Sequence, residues 1–464
     1  MNISPAIKRL IPPIVSLALL METVDMTIIN TAIPAMSKSL HVGPIDLKIA
    51  LISYLLSLAI FIPISGWLAD KYGIKKMFII ALGIFTLSSV SCGFSDNLWE
   101  LVIARIFQGM GGSLMAPLGR LMIVKWFERD ELVQTMNRVV ILALIGPALG
   151  PLLGGFLTET FSWRWIFWVN IPFGLMNILL AYFLLPESRA EKTHKLDITG
   201  FLLFGLGLAG LTFGLSALSE DAMNLSLVIL ILIFSVVLII FYILHSRRQI
   251  FPVLNTSLFR LRTFRLSILG NIFTRLGFGG LPFLLPLMLQ IPLGYSPQHA
   301  GGIVAAFAVG AMLVKSFSKR ILVFAGFKRL LLINTVLLGL SLLLFATVTP
   351  GTSSIMMIIF VLISGFFASL QYSGMNPLAF AETSPEELSN ATSIHSVTIQ
   401  ISSSFSVAIC ALILKKFSHS SAGGHVLNLT DFHDTFLIIS LMTIVSSIVF
   451  LFLKKEDGLS LVKK

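Results

Sequence analysis

What most constrains this chain is a succession of long apolar stretches with almost no charge inside them, at about 12–36, 47–69, 77–95, 98–124, 131–158, 163–186, 197–218, 223–245, 264–290, 298–322, 328–348, 353–380, 387–415 and 431–454. A helix needs about 20 apolar residues, rising 1.5 Å each, to cross a hydrocarbon layer of about 30 Å. The pattern therefore predicts an all-α membrane protein with fourteen transmembrane helices. Only 12% of the 464 residues are charged and 56% are hydrophobic, against roughly 25% charge in soluble domains. That argues against a water-soluble enzyme, and the short links leave no room for a sizeable soluble domain. Lys8 and Arg9 precede the first apolar run as in a signal peptide, but the run is too long and lacks a small-residue cleavage site, so it reads as an uncleaved span.

An even number of spans puts both ends on one side. Of the 33 Lys and Arg, 23 fall on links on the N-terminal side, five on the opposite side (Lys38, Lys48, Arg164, Lys415, Lys416), and five inside spans (Arg105, Arg120, Arg138, Arg275, Lys315). The excess of basic residues in inward-facing loops predicts that both termini are cytoplasmic. The formal charge of +11 carries no nucleic-acid signature, since zinc-finger spacings and polybasic tails are both missing. Cys92 and Cys410 lie far apart in apolar segments and read as buried, inert thiols. The eight histidines show no HExxH or comparable spacing, so neither a metal site nor a membrane-embedded enzyme is indicated.

The chain also repeats itself. GWLADKYGIKK (Gly66 to Lys76) follows span 2 and KRILVFAGFKR (Lys319 to Arg329) follows span 10, aligning Gly73 with Gly326 and Lys75 with Lys328, while Val323 stands where the first copy has Asp70. Two related halves are the usual build of secondary transporters. The expected partition is a six-span bundle over 1–190, two additional spans and a link over 191–262, and a second six-span bundle over 263–464.

Five stretches resemble the major facilitator superfamily, within it the fourteen-span drug:proton antiporters. VDMTIINTAIP (Val24 to Pro34), GWLADKYGIKK, RIFQGMGGS (Arg105 to Ser113), GPALGPLLGG (Gly146 to Gly155) and WRWIFWVNIP (Trp163 to Pro172) carry the likeness. PLGRLMIVK (Pro117 to Lys125) and LPFLLPLMLQIPLGYSPQHAG (Leu281 to Gly301) look closest to the MdtD-type subgroup. The resemblance implies a bacterial inner-membrane exporter of small molecules such as drugs, working by alternating access. It would be driven by the proton motive force without a cofactor, and would act as a monomer in the lipid bilayer on a small-molecule substrate and protons.

The residues themselves suggest roles. Glu22 and Asp25 are three apart on one face of span 1, about 15 to 20 Å into it at 1.5 Å per residue. Two neighbouring carboxylates in a low-dielectric layer can take up and release protons, and the resemblance supports Asp25 in particular. Arg105 in span 4 would tune them as a permanent cation, as the resemblance also implies. Gly146, Gly150 and Gly154, with Pro147, Pro151 and Gly155, form a small-residue face with proline kinks that suits close, adjustable helix packing. In the loop motif, Gly66, Asp70, Gly73 and Lys75 would form a latch, with Asp70 docking on the helix that opens near SPEELSN (Ser384 to Asn390), where Ser384 and Glu387 have capping-box spacing. Span 13 carries a polar stripe, Ser389, Ser393, Ser396, Gln400, Ser403 and Ser404, beside a lone His395 that reads as structural. Arg275, Arg138, Asn30, Gln108 and Gln400 are the expected substrate contacts. Because buried cations outnumber buried acids, and Arg suits carboxylates and phosphates, an endogenous organic anion, citrate-like or siderophore-like, is the alternative cargo. A non-transporting receptor would need a sensing or output domain for which the chain has no space.

Overall fold

The computed structural model describes residues 5–127, 129–187, 194–218, 224–384, 387–420 and 427–458. Among them every regular element is helical. The chain divides into two compact units, one of residues 1–197 with 296–301 and the other of residues 198–295 with 302–464.

The first unit holds α1 (Pro5–Ile28), α2 (Ile33–Ser39), α3 (Lys48–Phe61), α4 (Ser65–Tyr72), α5 (Ile74–Gly93), α6 (Leu98–Trp126), α7 (Arg129–Thr160), α8 (Trp165–Trp168) and α9 (Asn170–Leu184). α1 lies along α7, α5 and α3 lie along α6, and α9 lies against α5 and α1. Local signals place the ends. Asn97 Oδ1 accepts from Glu100 N at 3.0 Å while Glu100 Oε2 accepts from Asp96 N at 2.9 Å, which caps the start of α6. Gly73, at φ 95°, ψ 142°, separates α4 from α5 in a conformation that side chains with a Cβ rarely adopt. Across the loops at one end, the Arg164 guanidinium meets Asp96 at 3.0 Å and the Ser95 carbonyl at 3.2 Å.

The second unit holds α10 (Ile198–Ala217), α11 (Leu225–Ser246), α12 (Arg262–Phe278), α13 (Leu281–Gln290), α14 (Pro297–Leu343, whose first residues group with the first unit), α15 (Ser354–Leu378), α16 (Leu388–Ser420), α17 (Leu429–Ser446) and α18 (Ile448–Leu451). α10 and α11 pair as a hairpin, α10 also touches α16, and α12 packs between α16 and α17.

Twelve helices among the described residues are long and apolar enough to span a membrane. One of them, Pro297–Thr347, has 51 residues, or about 76 Å of helix, more than twice the hydrocarbon layer. It is broken at Gly326 (φ 71°, ψ 163°), where the sequence separates two spans. α7 lies over the stretch 131–158, and every one of the fourteen expected stretches falls on helix. The two break glycines are the pair that the internal repeat aligns. The repeat extends to packing: the Lys75 ammonium lies 5.6 Å from the Tyr182 ring on α9, and Lys328 Nζ donates to the Leu451 carbonyl on α18 at 2.8 Å. Around Gly326 the second unit closes on a small core of Leu266, Phe327, Leu331, Met375, Leu378 and Phe450.

Candidate functional site

Five helices of the first unit converge on Asp25, which is 0% exposed. From α6, Arg105 (1% exposed) donates from Nη1 to Asp25 Oδ2 at 2.6 Å and to Gln108 Oε1 at 2.7 Å. Gln108 Nε2 donates to Asp25 Oδ1 at 2.9 Å and to Ser89 Oγ of α5 at 2.6 Å. Asn170, the first residue of α9, donates from Nδ2 to the same Asp25 Oδ1 at 3.0 Å and to Ser89 Oγ at 3.2 Å. From α3, the Tyr54 ring lies 4.0 Å from the Arg105 guanidinium carbon. The Cys92 thiol donates to Gln108 Oε1 at 3.6 Å. A buried charge is tolerated where its partners fill its hydrogen-bonding capacity. Here three donors, one of them cationic, meet the two carboxylate oxygens.

Arg105 is seven residues past the start of α6, about 10 Å along the helix, and Asp25 is 20 residues past the start of α1, about 30 Å. The acid comes from near the end of one helix and the arginine from near the start of the other, so α1 and α6 run in opposite directions past the cluster. Glu22, 8% exposed, lies one turn from Asp25 toward the other end of α1, and its Oε2 is buried without a hydrogen-bond partner.

The glycine face of α7 explains where the ion-pair helix rests. A Cβ at Gly146 would overlap the Thr23 hydroxyl, one at Gly150 the Thr27 hydroxyl, and one at Gly154 the Thr31 hydroxyl and the Ile28 carbonyl. Thr23 and Thr27 on α1, with Thr31 in the 3-10 turn that follows it, therefore interlock with three glycines four apart on α7. This is the close approach that small residues permit. Gly155 faces the Pro297 carbonyl in the same way, and Glu159 Oε2 accepts from Gln298 N at 2.8 Å. Pro147 is exposed and Pro151 buried on that helix.

In the second unit, Arg275 on α12 is 9% exposed. Its Nε donates to Asn271 Oδ1 at 3.4 Å, and its guanidinium carbon lies 4.1 Å from the Tyr372 ring of α15. Among the described residues no carboxylate pairs with it. Lys315, exposed, donates to the Ser373 hydroxyl at 3.3 Å. Gln400 is buried with Oε1 unpartnered, and His395 packs edge-on against Phe380 at 5.6 Å. Only part of the polar stripe of span 13 is open, since Gln400 and Ser404 are buried while Ser389 is exposed.

The match to known proteins decides the family. A family model described as the Major Facilitator Superfamily matches residues 15–270 and 267–463. This chain belongs to the major facilitator superfamily. It is 37% identical over 445 residues to "Probable transport protein HsrA" of Haemophilus influenzae, covering 96% of each chain. It is 36% identical over 437 residues to "Putative multidrug resistance protein MdtD" of Pectobacterium carotovorum, covering 93% of this chain and 94% of that one. Among solved structures, a D-xylose-proton symporter superposes with a TM-score of 0.70 at 15% identity, covering 97% of this chain and 98% of that one. A bacterial homologue of the human drug peptide transporters PepT1 and PepT2 gives 0.65 at 14% identity, covering 96% and 97%. At that identity the structures speak for the fold alone. The chain is a multi-pass membrane transporter of this superfamily, not an enzyme.

Within that fold, the expected site residues separate. Asp25 and Arg105 are brought together, with Glu22 one turn away. Gln108, expected among the substrate contacts, has its amide engaged by Arg105, Asp25, Ser89 and Cys92 within the buried cluster. Asn30 also turns inward, donating to the Thr27 carbonyl of its own chain at 3.3 Å. Arg138 is exposed on α7, and Arg275 and Gln400 are buried in the second unit. In the loop motif, Asp70 is exposed, Gly66 has open space where a Cβ would stand, and Lys71 rests over the Trp67 ring at 4.6 Å. Ser384 donates from its hydroxyl to Glu387 Oε2 at 3.0 Å, in keeping with the capping-box spacing. The sequence reading missed Ser89, Asn170, Tyr54 and Tyr372. Asn170 carried a usable signal, an amide two residues before a proline in an apolar stretch. The others look like ordinary small or aromatic span residues until their neighbours are known.

Proposed function

We propose that this transporter is a proton-coupled antiporter that exports small molecules such as drugs by alternating access, with the proton motive force as its energy source and no cofactor. It would act as a monomer in a bacterial inner membrane with both termini in the cytoplasm. The observation that carries the reading is the fully buried Asp25–Arg105 pair at 2.6 Å, pinned by Gln108 and Asn170. A structural ion pair alone explains neither the second acid one turn away nor its unpartnered Oε2. A proton arriving at either carboxyl removes one negative charge and weakens the hold on the Arg105 guanidinium. Loss of the proton restores it. Arg105 joins α1, α3 and α6 through Asp25, Ala50 and its own helix, so that change in charge reaches three helices. The threonine–glycine contact of α1 with α7 then limits how α1 can shift, giving the motion a defined path. The loop glycines Gly66 and Gly73, with Asp70 and Lys75, would act as the latch.

A second reading, export of an organic anion, is favoured by one observation: Arg275 is buried on Tyr372 without a carboxylate partner among the described residues. An uncompensated buried guanidinium is costly and suits a carboxylate or phosphate ligand. The test is flux in proteoliposomes under an imposed pH gradient, with a lipophilic cation dye beside a tricarboxylate, for the unmodified chain and Asp25→Asn. Dye flux that the variant abolishes supports the drug antiporter. Tricarboxylate flux alone supports the anion reading, and normal flux through Asp25→Asn refutes the proton role of that residue.

A further inference from the structure

The link between α11 and α12 is a closed loop held to the end of α11. The Tyr242 hydroxyl donates to the Leu254 carbonyl at 2.9 Å and accepts from Leu254 N at 2.8 Å. Ser246 Oγ donates to the same carbonyl at 2.9 Å and lies 3.3 Å from Thr256 Oγ1. Asn255 Oδ1 then accepts from Ser257 N at 3.0 Å and starts a short 3-10 turn, Thr256–Arg260. These bonds fix where the loop tip projects. At the tip Ile250 is 86% exposed and Phe251 53% exposed. Arg247, Arg248 and Arg260 in the same link, and Arg265 in the first turn of α12, are exposed. No carboxylate among the described residues pairs with any of the four, while their neighbour Arg262 pairs with Asp457 at 3.5 Å.

The level of this loop in the membrane follows from α11. That helix has 22 residues, about 33 Å at 1.5 Å each, the thickness of the hydrocarbon layer. Its side chains are largely exposed and apolar, as on a lipid-facing helix. Arg247 and Arg248 follow its last residue and so stand at the phosphate level. Ile250 is held where it can reach the boundary between head groups and acyl chains. A loop in water gains nothing by fixing an isoleucine outward among unpaired arginines. At a bilayer surface the same arrangement satisfies both, since guanidinium forks match phosphate oxygens and an apolar tip enters the interface.

We propose that the α11–α12 loop is a docking site for the head groups of anionic phospholipids, with Arg247, Arg248 and Arg260 on the phosphates and Ile250 as the interfacial wedge. It gives the α10–α11 hairpin, which has no counterpart in the internal repeat, a role as a lipid anchor for the second unit. The proposal is independent of what is transported and of the proton reading.

The full chain, purified in detergent, is titrated with phosphatidylglycerol and with phosphatidylcholine, and bound lipid is counted by native mass spectrometry. At about fivefold per basic residue near an anionic surface, Arg247→Gln/Arg248→Gln/Arg260→Gln is expected to lower phosphatidylglycerol affinity on the order of a hundredfold. Phosphatidylcholine binding and the thermal unfolding of the lipid-free chain should stay as in the unmodified protein. The matching triple Lys variant, which keeps the charge, should retain most of the affinity. A second readout attaches a polarity-sensitive fluorophore to Ile250→Cys, feasible because Cys92 and Cys410 are both buried. Its emission should shift to the blue in vesicles containing phosphatidylglycerol and stay unshifted in the triple Gln background. An unchanged lipid preference in the triple Gln variant, an equal loss in the triple Lys variant, or a fluorophore indifferent to phosphatidylglycerol would each overturn the proposal.

Discussion

Breaking the Asp25–Arg105 pair from either side should cost far more than removing it whole. Arg105→Met leaves Asp25, 0% exposed, with only the amides of Gln108 and Asn170. Asp25→Leu leaves a guanidinium at 1% exposure over the Tyr54 ring with no anion. Either single change strands a buried charge, a loss of about 3–5 kcal/mol. Independent losses would add to about 6–10 kcal/mol in the double variant. The double variant strands no charge, so its loss should be smaller than that of either single variant, a coupling of about 3 kcal/mol or more. Equilibrium unfolding of the purified chain in mixed micelles measures all four corners of the cycle without reference to transport. If the double variant loses the sum of the two singles to within about 0.5 kcal/mol, the pair is not a coupled buried interaction and the cluster is misread. Arg105→Lys should fall between, because an ammonium keeps the charge but not the geometry that serves Asp25 and Gln108 from one nitrogen.

Other outcomes follow from the same contacts. Asn170→Ala removes one charge-assisted bond to Asp25 and should lower stability by about 1.5–3 kcal/mol, read in the same unfolding assay; a change of only a few tenths would show that Gln108 suffices. Gly150→Ala sets a methyl against the Thr27 hydroxyl and should cost about 1–3 kcal/mol. Thr27→Gly in the same chain should recover part of that loss, and no recovery would refute the interlock. Gly326→Ala meets no atom within 4 Å but must hold φ at 71°, a backbone cost of about 1–3 kcal/mol. Gly302→Ala, helical and equally open, should instead gain about 0.5–1 kcal/mol; equal effects at the two sites would refute the backbone argument. Glu22→Gln keeps the shape of the side chain and should abolish gradient-driven flux while leaving substrate exchange at equal pH. Unchanged gradient-driven flux would remove Glu22 from the proton path.

The helices were legible because bilayer length and charge exclusion act on every span at once, so no single residue has to carry the inference. The alignment of Gly73 with Gly326 was legible for a narrower reason: both positions hold a backbone geometry reserved for glycine, and that requirement survives where Asp70 has become Val323. The pairing of Asp25 with an arginine could be anticipated from residue type, since an acid and a guanidinium inside hydrocarbon each need a partner. The length of α1 could not, because a proline inside a helix ordinarily kinks or breaks it, and Pro12 and Pro13 do not interrupt this one.

Gln108 shows where residue type stops being informative. An amide in a span reads equally well as a ligand contact and as a second support for a buried acid, and only the neighbours decide. Here the amides of Gln108 and Asn170 both meet Asp25 Oδ1 and both reach the Ser89 hydroxyl, so three residues from three helices form one support. Asn170 is the first residue of α9 and follows directly on the aromatic turn that holds Arg164 against Asp96. Among the described residues Arg275 has no such support, only Asn271 and an aromatic ring. Two buried arginines in one chain thus stand in opposite conditions, one with its anion built in and the other without. That asymmetry is the physical ground for the proposal of proton chemistry in the first unit and for testing anion binding in the second.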